Sequence, residues 1–201
     1  MTSDRKNVEA ALVAGSVVGI PTDTVYGLAA VATNDIALDR IFELKERPPG
    51  LALPVLVSDL EQAERFLGRS DERLARLARH FWPGALTVVA RFELVDAPTL
   101  GGDGSSVGLR CPDDDVVRDL CRAIGPLAVT SANRHGGAPI TSASQFTEIF
   151  GDAIGVVLDG GVRDGVPSTV VSIADERSRA LRVGTIPWSE ILAVLETSSM
   201  G

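Results

Sequence analysis

Apolar positions along the chain switch repeatedly between helical spacing and short β-rich runs. Val8, Ala11 and Leu12 share one face of a predicted helix over residues 4 to 14, Gly15 stops it, and Val17 to Ile20 reads as the first strand. A second helix begins near Asn34 or Asp35 and carries Ile36, Leu38, Ile41, Phe42 and Leu44, until Pro48 and Pro49 forbid its continuation. Residues 53 to 57 predict a strand, and Ser58 and Ser70 suit the N-caps of helices over 59 to 67 and 71 to 80. Further strands are predicted over 86 to 92, 107 to 110, 126 to 130, 155 to 158, 169 to 173 and 180 to 183. Between them lie a helix from Asp113 to Asp115 through to Ile124, with Val116, Val117, Leu120 and Ile124 inward, and another over 144 to 150; a last helix starts near Pro187. Helices alternate with strands early, and strands follow one another later, so the fold class is α/β: an open, twisted, mixed parallel and antiparallel sheet with packed helices.

Polar chemistry gathers where apolar runs end. In GIPTDTVYGLAA, residues 19 to 30, an apolar run breaks into Thr22, Asp23, Thr24 and Tyr26; Asp23 is read as organising the turn. Residues 126 to 130 break in the same way into SANRHGGAP. On local chemistry alone the residues after Pro21 read as a strand cap rather than a site, because Thr and Asp are common turn residues that satisfy nearby backbone groups. Lys45 and Arg47 fall at a helix C-terminus, where cations also complement the dipole. The GGDGSS stretch in the loop 93 to 105 has no lysine in P-loop position, so it is read as a hairpin connection and not a P-loop. The three aspartates at 113 to 115 are helix caps, and neither His80 nor His135 has a partner at metal-ligand spacing.

Composition narrows the class. No linker divides the 201 residues, so one domain over 1 to 201 is expected, and 45% apolar residues suffice for a core. A formal charge of -8 disfavours non-specific binding to nucleic acid or anionic membranes, so any anionic ligand needs a local cationic cluster. Cys111 and Cys121 are too far apart for a CxxC pair and are expected as buried, reduced thiols. The uncharged stretch from Ala10 to Thr22 is too short to span a bilayer and lacks a cleavage pattern, which predicts a cytoplasmic protein with no membrane association.

Several separated motifs occur in an order that resembles the YrdC-like threonylcarbamoyl-AMP synthases: IPTDTVYGL at 20 to 28, KERP at 45 to 48, FWPGALTVV at 81 to 89, VGLRCP at 107 to 112, TSAN at 130 to 133, LDGG at 158 to 161, PSTVV at 167 to 171 and LRVG at 181 to 184. The resemblance implies a sheet curved around a concave, cationic cleft, in a single-domain form. It implies that L-threonine, bicarbonate and ATP, the last with Mg2+, give threonylcarbamoyl-AMP and pyrophosphate for tRNA threonylcarbamoyladenosine, with transferase proteins acting downstream and a tRNA contact possible. By matched positions, Lys45 and Arg47 are the catalytic cations. Arg47, Arg182, Ser131, Asn133 and, more weakly, Ser105 or Ser106 would hold ATP; Thr24, Tyr26, Arg110 and Ser168 would hold threonine. No protein metal ligand is implied. Leu51 and Leu56 replace polar residues that some members use, and Val183 replaces a frequent proline. Two other readings are a non-catalytic nucleotide- or RNA-binding module on the same fold, and an enzyme making another carbamoyl-adenylate, as in hydrogenase maturation.

Overall fold

A computed structural model describes residues 2–48, 50–92, 99–133, 137–163 and 166–197. In chain order the elements are β1 (Thr2–Ser3), α1 (Arg5–Val13), β2 (Val18–Pro21), β3 (Tyr26–Val31), α2 (Asp35–Lys45), β4 (Val55–Leu56), α3 (Leu60–Leu67), α4 (Glu72–Phe81), β5 (Leu86–Arg91), β6 (Ser106–Arg110), α5 (Asp115–Ile124), β7 (Leu127–Ser131), α6 (Ala143–Phe150), β8 (Val157–Leu158), β9 (Thr169–Ser172), β10 (Arg179–Arg182) and α7 (Trp188–Glu196). The strands form one mixed sheet in the order β1-β8-β2-β3-β7-β4-β6-β5-β9-β10. Pairs β1/β8, β2/β8, β4/β6 and β5/β9 are parallel, and the others are antiparallel.

Strand side chains alternate between faces, and the two faces have different fates. Leu28, Ala30, Val55, Val88, Leu109 and Val171 point to a large core closed by α2, α3, α4, α6 and α7. On the opposite face, Val18, Ile20, Ala29 and Leu127 pack with Val8 and Leu12 of α1 and Val117, Leu120 and Cys121 of α5. Those two helices cover only one end of that face. Over β4, β5, β6 and β9 the same face lines an open cavity.

The helix starts are fixed by side-chain caps. Asp4, Asn34, Asp114 and Ser142 each accept a backbone N–H from the first turn. For α3 and α4 the caps are Asp59 and Asp71, one residue later than the expected Ser58 and Ser70. The Ser58 hydroxyl instead donates to the Asp59 carboxylate, at 2.8 Å. Of the α5 positions expected inward, Val117 and Leu120 are buried, whereas Val116 is 39% exposed; the buried stripe continues through Cys121 instead. Strand β3 went unpredicted because Gly27, Ala29 and Ala30 carry little β propensity; it is nonetheless central, paired with β2 and β7. Both thiols are buried. Burial pushes Cys111 up to about 11 and Cys121 up to about 12.

Candidate functional site

The cavity has a volume of about 660 Å³, within the range of roughly 300 to 1,000 Å³ usual for small-molecule sites. Its floor follows directly from strand alternation. Thr87 and Val89 of β5, Ser106, Gly108 and Arg110 of β6, and Ser168 and Val170 beside and on β9 face it, while their neighbours Val88, Leu109 and Thr169 are buried in the opposite core. The walls come from the turn before β3, the segment after α2 and the end of β7.

Three guanidinium groups line the cavity, and no carboxylate does among the described residues. Each is anchored by part of its donor set. Arg110 Nε donates to the Gly84 carbonyl at 2.9 Å, Nη1 to Thr24 Oγ1 at 3.2 Å and Nη2 to Asp23 Oδ1 at 2.6 Å. Arg47 donates from Nε to the Leu51 carbonyl and from Nη2 to that of Ala52. Arg182 donates from Nε to the Ser168 carbonyl and from Nη2 to Ser168 Oγ. A guanidinium has five N–H groups, so each arginine keeps at least two for a ligand. Burial disfavours the charged form of Arg47; for Arg182 burial acts first and Arg110 second.

Lys45 is the last residue of α2, and Glu46 caps that helix in the left-handed conformation, with φ of 49°. The reversal sends Lys45 and Arg47 to different walls. Lys45 is buried, and Nζ donates to the Ser131 carbonyl at 2.7 Å, to the Asn133 carbonyl and to Asn133 Oδ1. Burial, and secondarily Arg47, push its ammonium down to about 8. Ser131 Oγ donates to Asn133 Oδ1 at 2.6 Å, and Asn133 Nδ2 to the Gly137 carbonyl, so KERP and SAN form one connected wall. This wall, the three arginines and the hydroxyls of Thr24 and Ser168 suit an anionic ligand with several oxygen acceptors.

The family model described as Telomere recombination, Sua5/YciO/YrdC, matches residues 10–184. The chain belongs to this family. It is 38% identical over 200 residues to the threonylcarbamoyl-AMP synthase of Bacillus subtilis, covering 96% of this chain and 58% of that protein. It is 36% identical over 190 residues to the putative threonylcarbamoyl-AMP synthase of Mycobacterium tuberculosis, covering 92% of this chain and 86% of that protein. The structure of Pyrococcus abyssi Sua5 complexed with L-threonine superposes with a TM-score of 0.89 at 32% identity, covering 98% of this chain and 60% of that one. The chain thus spans little more than half the length of the Bacillus and Pyrococcus relatives.

Within this family fold, Thr24, Arg47, Arg110, Ser131, Asn133, Ser168 and Arg182 come together on the cavity wall, with Lys45 directly behind Ser131 and Asn133. Besides Lys45, two expected residues do not line it. Tyr26 has the strand parity of Leu28 and Ala30 and is fully buried in the core. Its hydroxyl donates to the Gly161 carbonyl and accepts from the Gly160 N–H, so it ties the PTDT turn to the DGG turn; burial raises its pKa. Ser105 precedes β6 and donates to Asp103; Ser106, with the parity of Gly108 and Arg110, is the serine that faces the cavity. Asp23, read as organising the turn, holds Arg110, while Thr22 does the organising: its hydroxyl donates to the Val25 carbonyl and accepts from the Thr24 and Val25 N–H groups. The pairing of Asp23 with an arginine 87 residues away has no local sequence signal.

Leu51 and Leu56 both line the cavity, and Val183 is exposed, at 61%. His80 lies edge-on to Phe81, and His135 lies outside the described residues. No helix among the described residues is long and apolar enough to cross a membrane.

Proposed function

We propose that the chain is a threonylcarbamoyl-AMP synthase, a nucleotidyltransferase that acts in the cytoplasm on L-threonine, bicarbonate and ATP. The observation that carries this reading is the set of three anchored guanidiniums lining one concave face, with no carboxylate lining it among the described residues, in a chain whose formal charge is -8. Such local positive charge serves a reaction in which bicarbonate, ATP, the carbamate intermediate and pyrophosphate are all anionic.

Arg110, braced by Asp23, Gly84 and Thr24, offers two free N–H groups to the threonine carboxylate, with the Thr24 and Ser168 hydroxyls alongside. The threonine amine, having lost a proton to solvent, bonds to the carbon of bicarbonate; water leaves and a carbamate results. A carbamate oxygen then attacks the α-phosphorus of ATP, the bond to the bridging oxygen of the β-phosphate breaks, and pyrophosphate departs. Arg47, Arg182 and Lys45 offset the charge that develops on the phosphoryl oxygens, and Ser131 and Asn133 hold the nucleotide side. Positioning and fixed charge supply the catalysis, and no side-chain nucleophile is required. Among the described residues no cluster of three His, Cys, Asp or Glu side chains could hold a metal ion, so Mg2+ would arrive with ATP, held by phosphate and water. The product would pass to threonylcarbamoyl transferase proteins that modify tRNA, through direct tRNA contact or by release.

The test is release of labelled pyrophosphate by purified protein supplied with ATP, Mg2+, bicarbonate and threonine. Release should cease when threonine alone is omitted. Binding of ATP without any turnover would instead identify a non-catalytic module.

A further inference from the structure

Arg182 is aimed into the cavity by an irregularity of the sheet. Between β9 and β10, Arg179 pairs with Ser172 and Ala180 with Val171, but the next pair is Arg182 with Val170; Leu181 is an extra residue. Val170 faces the cavity and Thr169 and Val171 face the core. In an unbroken ladder Leu181 would oppose Val170, and Arg182 would oppose Thr169 and point at the buried face, because a one-residue shift exchanges the two sides of a strand. The extra residue puts both Leu181 and Arg182 on the cavity side.

One hydroxyl makes three of the bonds that hold the chain in this register, beside those from the Thr185 N–H and hydroxyl to the Pro167 carbonyl. Thr169, fully buried, donates from Oγ1 to the Ile186 carbonyl at 2.6 Å and accepts from the N–H groups of Gly184 at 2.9 Å and Ile186 at 3.0 Å. One donor and two acceptors exhaust a hydroxyl. Gly184 lies so close to β9 that a Cβ there would sit 2.7 Å from the Ser168 carbonyl carbon. The segment two residues beyond Arg182 is therefore clamped to the residue that follows Ser168, and Arg182 in turn bonds Ser168 twice.

We propose that Thr169 is a positioning residue: by clamping Gly184 and Ile186 it fixes the bulge at Leu181 and so delivers Arg182 to an anionic ligand. The inference rests on the reading of the cavity as an ATP site. It is tested by measuring ATP binding and pyrophosphate release for Thr169→Val, Thr169→Ala, Thr169→Ser, Arg182→Ala and Thr169→Val/Arg182→Ala. Removing the hydroxyl is expected to weaken ATP binding about tenfold, the order of one lost charge-assisted contact. Thr169→Ser, which keeps the hydroxyl, stays within about twofold of the parent, and the double variant binds no more weakly than Arg182→Ala alone, as groups acting through one contact do. Additive losses in the double variant, or parental binding by Thr169→Val and Thr169→Ala, overturn the proposal, as does failure of both to fold, which assigns Thr169 a general structural role. If the parent itself neither binds ATP nor releases pyrophosphate, the proposed function fails, and a crystal structure of Thr169→Val decides the positioning separately. Arg182 still opposite Val170 and bonded to Ser168 overturns it; a slipped register or a released guanidinium upholds it.

Discussion

Replacing Asp23 by Asn should weaken the fold through Arg110 and leave the PTDT turn intact. The two groups meet at 2.6 Å, with their side chains only 16% and 7% exposed. Removing one partner of a buried ion pair costs about 3 to 5 kcal/mol, because the other charge is left uncompensated. Asn retains an acceptor oxygen at the same place, and Arg110 retains Gly84 and Thr24, so the expected loss is smaller, about 1.5 to 3 kcal/mol, the scale of a hydrogen bond to a charged group. For a chain of this size that corresponds to a fall in Tm of about 3 to 12 °C. Thermal and urea unfolding of Asp23→Asn, Arg110→Met and the double variant form a cycle whose coupling energy isolates the pair. A Tm within about 1 °C of the parent, or additive single losses, would refute the assignment of Asp23 to Arg110 and return it to the turn.

Four other outcomes follow from the structure. Lys45 should impose a decline in activity as pH rises through about 8, where the folded chain loses its ammonium, and Lys45→Arg should remove that limb from the pH–rate profile if the charge alone is needed. Between about 8 and the ordinary 10.5 the unfolded chain holds a proton that the folded one has released, so Lys45 contributes rising stability with pH across that window and opposes folding below it; the slope in urea melts should flatten in Lys45→Met. Gly108→Val places a Cβ 3.1 Å from Thr87 Cγ2 and its methyls in the cavity; ATP binding should fall at least tenfold with a stability loss of about 1 to 3 kcal/mol, both read by calorimetry. Tyr26→Phe keeps the packed ring but unpairs the Gly160 N–H and Gly161 carbonyl, and should cost about 1 to 3 kcal/mol in denaturant unfolding.

The helices were legible because their apolar spacing and stop signals are local: Asn34 before α2 and Pro48 after it bracket the element in the sequence itself. What escaped was set by partners far along the chain. Small residues concealed β3, whose place depends on pairing with β2 and β7. Tyr26 sits amid hydroxyls that do reach the site, yet one step of strand parity turns it into the core, and the same parity chooses Ser106 over Ser105. Asp23 was assigned to its turn because its partner lies in another motif, while Thr22, whose side chain ends at Oγ1, serves its neighbours.

The buried thiols also bear on how the molecule can be observed. Cys111 Sγ donates to the Ser58 carbonyl and Cys121 Sγ to that of Leu56, and at neutral pH both remain protonated. Since thiolate is the form that alkylates, and the chain has no other cysteine, native protein presents a silent background to thiol reagents. A cysteine placed at the 84% exposed Ile36, away from the cavity, would therefore take a single fluorophore and report on the intact chain without prior removal of either native thiol.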